Sequence, residues 1–165
     1  MRAVYAGSFS PPTLGHLDII RRASAMFDEV VVAVMSQTAK TYVFSPQARL
    51  EMLREVTAEF ANVRVIADQG LLADLVRREG ADVILRGLRG EADMSFEMQM
   101  AAANRQIGNI ETVFIGCMPE YSMISSTIVR DCAAHGAPIA GMVPGKIIGK
   151  IYAAYGVCPD AERKG

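Results

Sequence analysis

His16, one of two histidines in the chain, closes the tetrapeptide Thr13-Leu14-Gly15-His16. Before it come a hydrophobic run, Arg2 to Ala6, and two prolines, Pro11 and Pro12; after it Leu17, Ile20, Ala23 and Phe27 recur at helical spacing. Gly7 and Gly15 let the backbone come close to another group, and the prolines hold the loop extended. His16 is therefore expected at or near the first turn of a helix, where free amides and the positive dipole end favour an anion. Cationic side chains recur at comparable places. Arg86 ends the apolar run "DVIL", which is unfavourable unless its guanidinium leaves the strand edge toward an anion. Arg89, three residues later, carries forked donors that suit phosphate oxygens. Lys40 lies in the loop "SQTAKTY", where a lysine by itself reads as solvated. Ser125, Ser126 and Thr127 precede an apolar helical run; they read as helix caps, and the same amides and hydroxyls could hold phosphates.

These side chains need a scaffold. Strand-like runs at Arg2 to Ala6, Glu29 to Met35, Val63 to Ala67, Asp82 to Arg86 and Glu111 to Gly116 are rich in Val and Ile without clean alternation, as strands buried on both faces are. Helical patterns separate them at Leu17 to Phe27, Pro46 to Phe60, Leu71 to Glu79 and Met94 to Ile107. Ser45 and Pro46 form a helix start, Gly80 a stop, and a further helix is expected around Lys146 to Tyr155. The alternation predicts an α/β fold: an open five-stranded parallel sheet with helices on both faces. Ligands of such sheets bind beyond the carboxyl ends of the strands, and the unusual loops, 7–15, 36–45, 87–93 and 117–126, fall there.

The totals set limits. A chain of 165 residues suits one domain, predicted over 1–157 with a polar C-terminal tail over 158–165. Seventeen basic against eighteen acidic residues, net charge -1, argue against broad adhesion to nucleic acid or an anionic membrane. No apolar run approaches the ~20 residues of a membrane helix, and no signal segment is expected at the start. Cys117, Cys132 and Cys158 are odd in number and form no CxxC pair, so a reducing cytoplasm is the simplest setting. His135, just before Gly136, reads as a helix-end residue. Methionines such as Met94, Met98, Met100 and Met123 read as gap-filling core or subunit contacts.

"TLGH" at 13–16, "RGLRG" at 86–90 and "ISSTIVR" at 124–130, each after a predicted strand, resemble the signatures of the nucleotidylyltransferase superfamily, whose histidine motif is shared with class I aminoacyl-tRNA synthetases. With "YAGSF", "AMFD" and "FEMQMAAANR" in order over nearly the whole chain, the set resembles bacterial phosphopantetheine adenylyltransferases. The resemblance implies a Rossmann-like fold and transfer of an adenylyl group from ATP to 4′-phosphopantetheine, giving dephospho-coenzyme A and pyrophosphate in coenzyme A biosynthesis. By analogy with phosphoryl transfer, direct in-line attack without a covalent intermediate is expected, so that positioning and cationic stabilisation matter more than a nucleophile.

By the same resemblance His16, Lys40 and Arg89 are catalytic, and Ser8, Lys40, Leu72 and Arg86 hold phosphopantetheine. ATP is expected against Ser8, Phe9, His16, Gly87, Leu88, Arg89, Glu97, Tyr121, Ser122, Met123, Ile124, Ser125, Ser126 and Thr127. By pattern alone Leu72 reads as core and Glu97 as an exposed helical glutamate. Ala6, Ser8, Ser10 and Tyr121 stand where the family commonly has proline, threonine, aspartate and tryptophan; Ser8 keeps the hydroxyl, and Thr127 and Arg130 agree with the wider superfamily form. Magnesium is expected, held mainly by the ATP phosphates because no carboxylate cluster marks a protein cage. A homohexamer and coenzyme A as a product-side ligand are also implied. Two rivals remain: nucleotidyl transfer to another phosphorylated acceptor, and a non-catalytic nucleotide-binding module. Transfer-RNA charging is disfavoured by length.

Overall fold

The computed structural model describes residues 1–36 and 41–157. Five parallel strands, β1 (Arg2–Gly7), β2 (Glu29–Met35), β3 (Val63–Asp68), β4 (Val83–Leu88) and β5 (Glu111–Gly116), form one sheet in the order β3-β2-β1-β4-β5. The chain winds outward from β1 to β3, then crosses back so that β4 pairs with β1 on its other edge. That reversal places a crevice at the carboxyl ends of β1 and β4, where open α/β sheets bind ligands.

Among the described residues six helices connect or follow the strands: α1 (Leu14–Met26), α2 (Pro46–Thr57), α3 (Leu72–Arg78), α4 (Glu91–Gly108), α5 (Ser126–Ala134) and α6 (Ile148–Ala154), with 3-10 turns at Pro119–Tyr121 and Gly145–Ile147. Successive residues of β1 point to opposite faces. Ala3 and Tyr5 join a large core with Ile20, Leu53, Ile139, Ile147 and Ile151, whereas Val4 and Ala6 join a smaller one with Ala33, Leu75, Val76, Ile84 and Ile110. Burial on both sides is why the central strands β1 and β2 lack polar alternation; the edge strands β3 and β5, expected to be buried alike, are mostly part-exposed because each has a neighbour on one side only.

The expected architecture is present, and the differences lie at element ends. α1 begins at Leu14, three residues before the apolar periodicity, because Thr13 caps it: its Oγ1 accepts from the His16 amide at 3.3 Å. α4 likewise begins at Glu91 and not at Met94. β4 starts at Val83 and continues two residues past Arg86, which pairs in register with Phe114 and so does not end its strand. Ser45 caps α2 with Pro46 in the first turn, and Gly80 stops α3 at φ +59°. Lys40 and the tail 158–165, including Cys158, lie outside the described residues. Among those residues no helix is long and apolar enough to cross a membrane.

Candidate active site

A cleft of about 510 Å³ opens at the β1–β4 crevice. Ser8, Phe9, His16, Arg86, Gly87, Arg89, Glu97, Ile124, Ser125, Ser126 and Thr127, predicted from widely separated motifs, all line it. Leu72, Leu88, Tyr121, Ser122 and Met123 do not. Leu72 packs against the smaller core at the start of α3, as its pattern suggested, and the Met123 side chain is 82 % exposed. Tyr121 sits behind Gly15, its Cβ 3.6 Å from where a residue-15 Cβ would stand.

The imidazole of His16 is held in one tautomer. It occupies the third position of α1, and the Thr13 backbone N–H donates to its Nδ1 at 3.0 Å. Nδ1 is thus an acceptor, and the ring proton is on Nε2, the nitrogen free of the capping box. Phe9 packs edge-on against the imidazole (5.0 Å, 73°) and against Tyr5 (5.4 Å, 79°). Phe9 itself has φ +46°, and Gly7 makes room for it, since a Cβ there would lie 3.2 Å from the Phe9 ring. At Gly15 a Cβ would meet protein atoms only at ordinary distance, 3.6 Å.

Burial, then the charges of Arg89 and Arg86, lower the His16 pKa to about 4. At neutral pH His16 is therefore an uncharged N–H donor in a cationic cleft. A sign follows for stability. Between pH 6.5 and about 4 the unfolded chain binds a proton that the folded chain refuses, so this group's contribution is complete above 6.5 and is lost as pH falls toward 4. The melting temperature of wild type is expected to fall further between pH 7 and pH 5 than that of His16→Gln; parallel curves would contradict the assignment.

Both arginines are pre-oriented by carboxylates. Arg86 donates from Nε and Nη2 to Glu97 at 2.6 and 2.5 Å, and from Nη1 to the Ala6 carbonyl at 2.5 Å. Burial works against its charge, but Glu97 prevails and raises the guanidinium pKa above its ordinary value. Glu97 is 9 % exposed, which corrects its reading as a solvated helical residue: Glu97 and Asn104 share the inward face of α4. Arg89 donates from Nε and Nη2 to Asp93 at 2.8 and 2.9 Å, and that pairing, above all, holds the Asp93 carboxyl below its usual range. Asp93 was not foreseen, although its i, i+4 relation to Arg89 is a sequence signal.

The first turn of α5 forms the opposite wall. Ser125 Oγ accepts from the Ile128 amide at 3.2 Å, so capping and cleft lining coexist. Ser126 donates to the Pro11 carbonyl at 2.8 Å and Arg130 to the Ser10 carbonyl at 2.5 Å, tying this wall to the β1–α1 loop. Two helix starts, α1 and α5, thus meet the guanidinium groups of Arg86, Arg89 and Arg130 in one crevice, an arrangement suited to a polyphosphate. Among the described residues no group of three or more His, Cys, Asp or Glu side chains is placed to hold a metal ion.

Fold and cleft together define a nucleotidylyltransferase. The cytidylyltransferase-like family model matches residues 4–132, and a Vibrio parahaemolyticus structure described as a nicotinate-nucleotide adenylyltransferase superposes with a TM-score of 0.68 at 19 % identity over 96 % of each chain. Curated phosphopantetheine adenylyltransferases are much more similar in sequence. The chain is 52 % identical to that of Symbiobacterium thermophilum, covering 87 % of this chain and 90 % of that one. It is 48 % identical to that of Deinococcus radiodurans, covering 87 % of each. The Streptomyces coelicolor protein is 46 % identical, with 87 % of this chain and 90 % of that one covered. The chain belongs to the phosphopantetheine adenylyltransferase family.

Proposed function

We propose that this chain reversibly transfers the adenylyl group of ATP to 4′-phosphopantetheine, giving dephospho-coenzyme A and pyrophosphate, by direct in-line attack of the acceptor phosphate on the α-phosphorus. The observation that carries the reading is the convergence of His16, Arg86, Arg89 and the starts of α1 and α5 on one cleft, in a chain 46–52 % identical to proteins of that name. Neutral His16 donates from Nε2 to the α-phosphate as charge grows there. Arg89 and the Ser125 to Thr127 turn hold the β- and γ-phosphates. Arg86, Ser8 and Lys40 hold the acceptor phosphate, with Lys40 assigned from its sequence position alone. No step needs a nucleophilic side chain.

Magnesium would arrive with the triphosphate and neutralise charge on the departing pyrophosphate. The two cleft carboxylates, Asp93 and Glu97, are engaged by arginines, so phosphate and water would supply its ligands. A cytoplasmic homohexamer belongs to the same proposal, and the exposed stripe of Phe96, Met100 and Ile107 on α4 is an apolar surface suited to a subunit contact. Coenzyme A would compete for the acceptor end of the cleft.

Pyrophosphate release measured across a panel of phosphorylated acceptors tests the reading. Phosphopantetheine should drive release, whereas nicotinamide mononucleotide and glycerol phosphate should not. In Lys40→Ala the KM for phosphopantetheine should rise on the order of 10-fold with the KM for ATP little changed. Release driven by a different acceptor, or ATP binding with no acceptor-dependent release, would replace this function by one of the two rivals.

A further inference from the structure

Arg49 lies on α2 at i, i+4 and i+7 with Leu53 and Val56, the inward face of that helix, and its side chain is 0 % exposed. An apolar residue would fill such a position without the cost of burying a cation. Among the described residues no carboxylate pairs with it, and burial pulls its pKa below the ordinary arginine value. Its donors go elsewhere. Nη1 reaches the carbonyls of Ser8 at 2.7 Å and Met35 at 3.1 Å, Nη2 reaches Ser36 Oγ at 2.7 Å, and the Tyr42 ring centroid lies 4.2 Å from the guanidinium carbon. These contacts join two loops. Ser8 begins the β1–α1 loop, Ser36 and Tyr42 belong to the loop between β2 and α2, and Ser8 and Tyr42 line the cleft.

We infer that Arg49 is a positioning residue that clamps these two loops to each other and so sets the spacing of the groups gripping the acceptor phosphate. The inference rests on the proposed reaction, because it concerns the end of the cleft given to phosphopantetheine. A planar fork with donors in two directions can bridge a loop carbonyl, a strand-end carbonyl and a hydroxyl beyond them; a lysine ammonium keeps the charge but not that reach. The clamp contributes through geometry, where displacements well under an ångström matter.

Steady-state pyrophosphate release, with each substrate varied in turn, tests this in Arg49→Met, Arg49→Lys and Ser36→Ala. The KM for phosphopantetheine should rise on the order of 10-fold in R49M and less in R49K and S36A, while the KM for ATP stays near wild type. Should R49M fail to fold, R49K and S36A carry the comparison. Wild-type protein without acceptor-dependent release would overturn the reaction and this inference together. Wild-type turnover with the phosphopantetheine KM unmoved in R49K and S36A, or moved no further than that of ATP while the melting temperature falls, would overturn the inference alone.

Discussion

Alanine in place of His16 should slow acceptor-dependent pyrophosphate release on the order of 10²- to 10³-fold while leaving ATP affinity within about threefold of wild type, the pattern of a donor that matters most as charge develops. The imidazole is neutral in the folded chain, with its pKa near 4, and its Nδ1 is occupied by the Thr13 amide. It therefore contributes one directed N–H and no net charge. In the proposed reaction, ground-state binding of the triphosphate falls instead to Arg89 and the Ser125 to Thr127 turn, which the substitution does not touch. Because this donor stays uncharged well below neutrality, its titration should leave the pH dependence of turnover flat from pH 6 to 8. Calorimetric titration of ATP and a pyrophosphate assay on the same preparation separate the two quantities. An equal loss of ATP affinity and rate would make His16 a binding residue only.

The fold was legible because its central strands are buried on both faces, and continuous Val and Ile runs between amphipathic segments leave few other topologies. Element ends were less so. Apolar periodicity dates α1 from Leu17, but the hydrogen bonds that start it belong to Thr13 and His16, which contribute nothing to an apolar stripe. The site was legible where a motif fixes both residue type and local turn, as in His16, Arg86, Arg89 and the serine run. It was not legible where a role comes from a partner distant in sequence. Glu97 reads as solvated until α4 is seen to turn it onto Arg86, eleven residues away, and nothing before the fold links Arg49 to Ser8 and Ser36. Met123, one residue before the serine motif, extends its side chain into solvent and lies outside the cleft lining.

Arg86 carries the largest expected effect on stability and on chemistry at once, and the two can be separated. Arg86→Met leaves the Glu97 carboxylate buried without its cation and the Ala6 carbonyl without its donor, a change expected to cost about 3 kcal/mol of folding free energy. Part of the Arg86 side chain is solvent-accessible, 27 %, which holds the figure to the lower end for a broken buried pair. Glu97→Gln should cost less, because an amide oxygen can still accept one guanidinium bond. The double variant R86M/E97M removes both charges and should recover most of the lost stability in urea unfolding. It should recover none of the chemistry. Without a guanidinium at residue 86, kcat/KM for the acceptor should stay on the order of 10³-fold down, since the neighbouring Arg89 is held by Asp93 and assigned to ATP. Stability and turnover rising together in the double variant would mean that Arg86 serves only to neutralise Glu97, and that the acceptor phosphate is held elsewhere in the cleft.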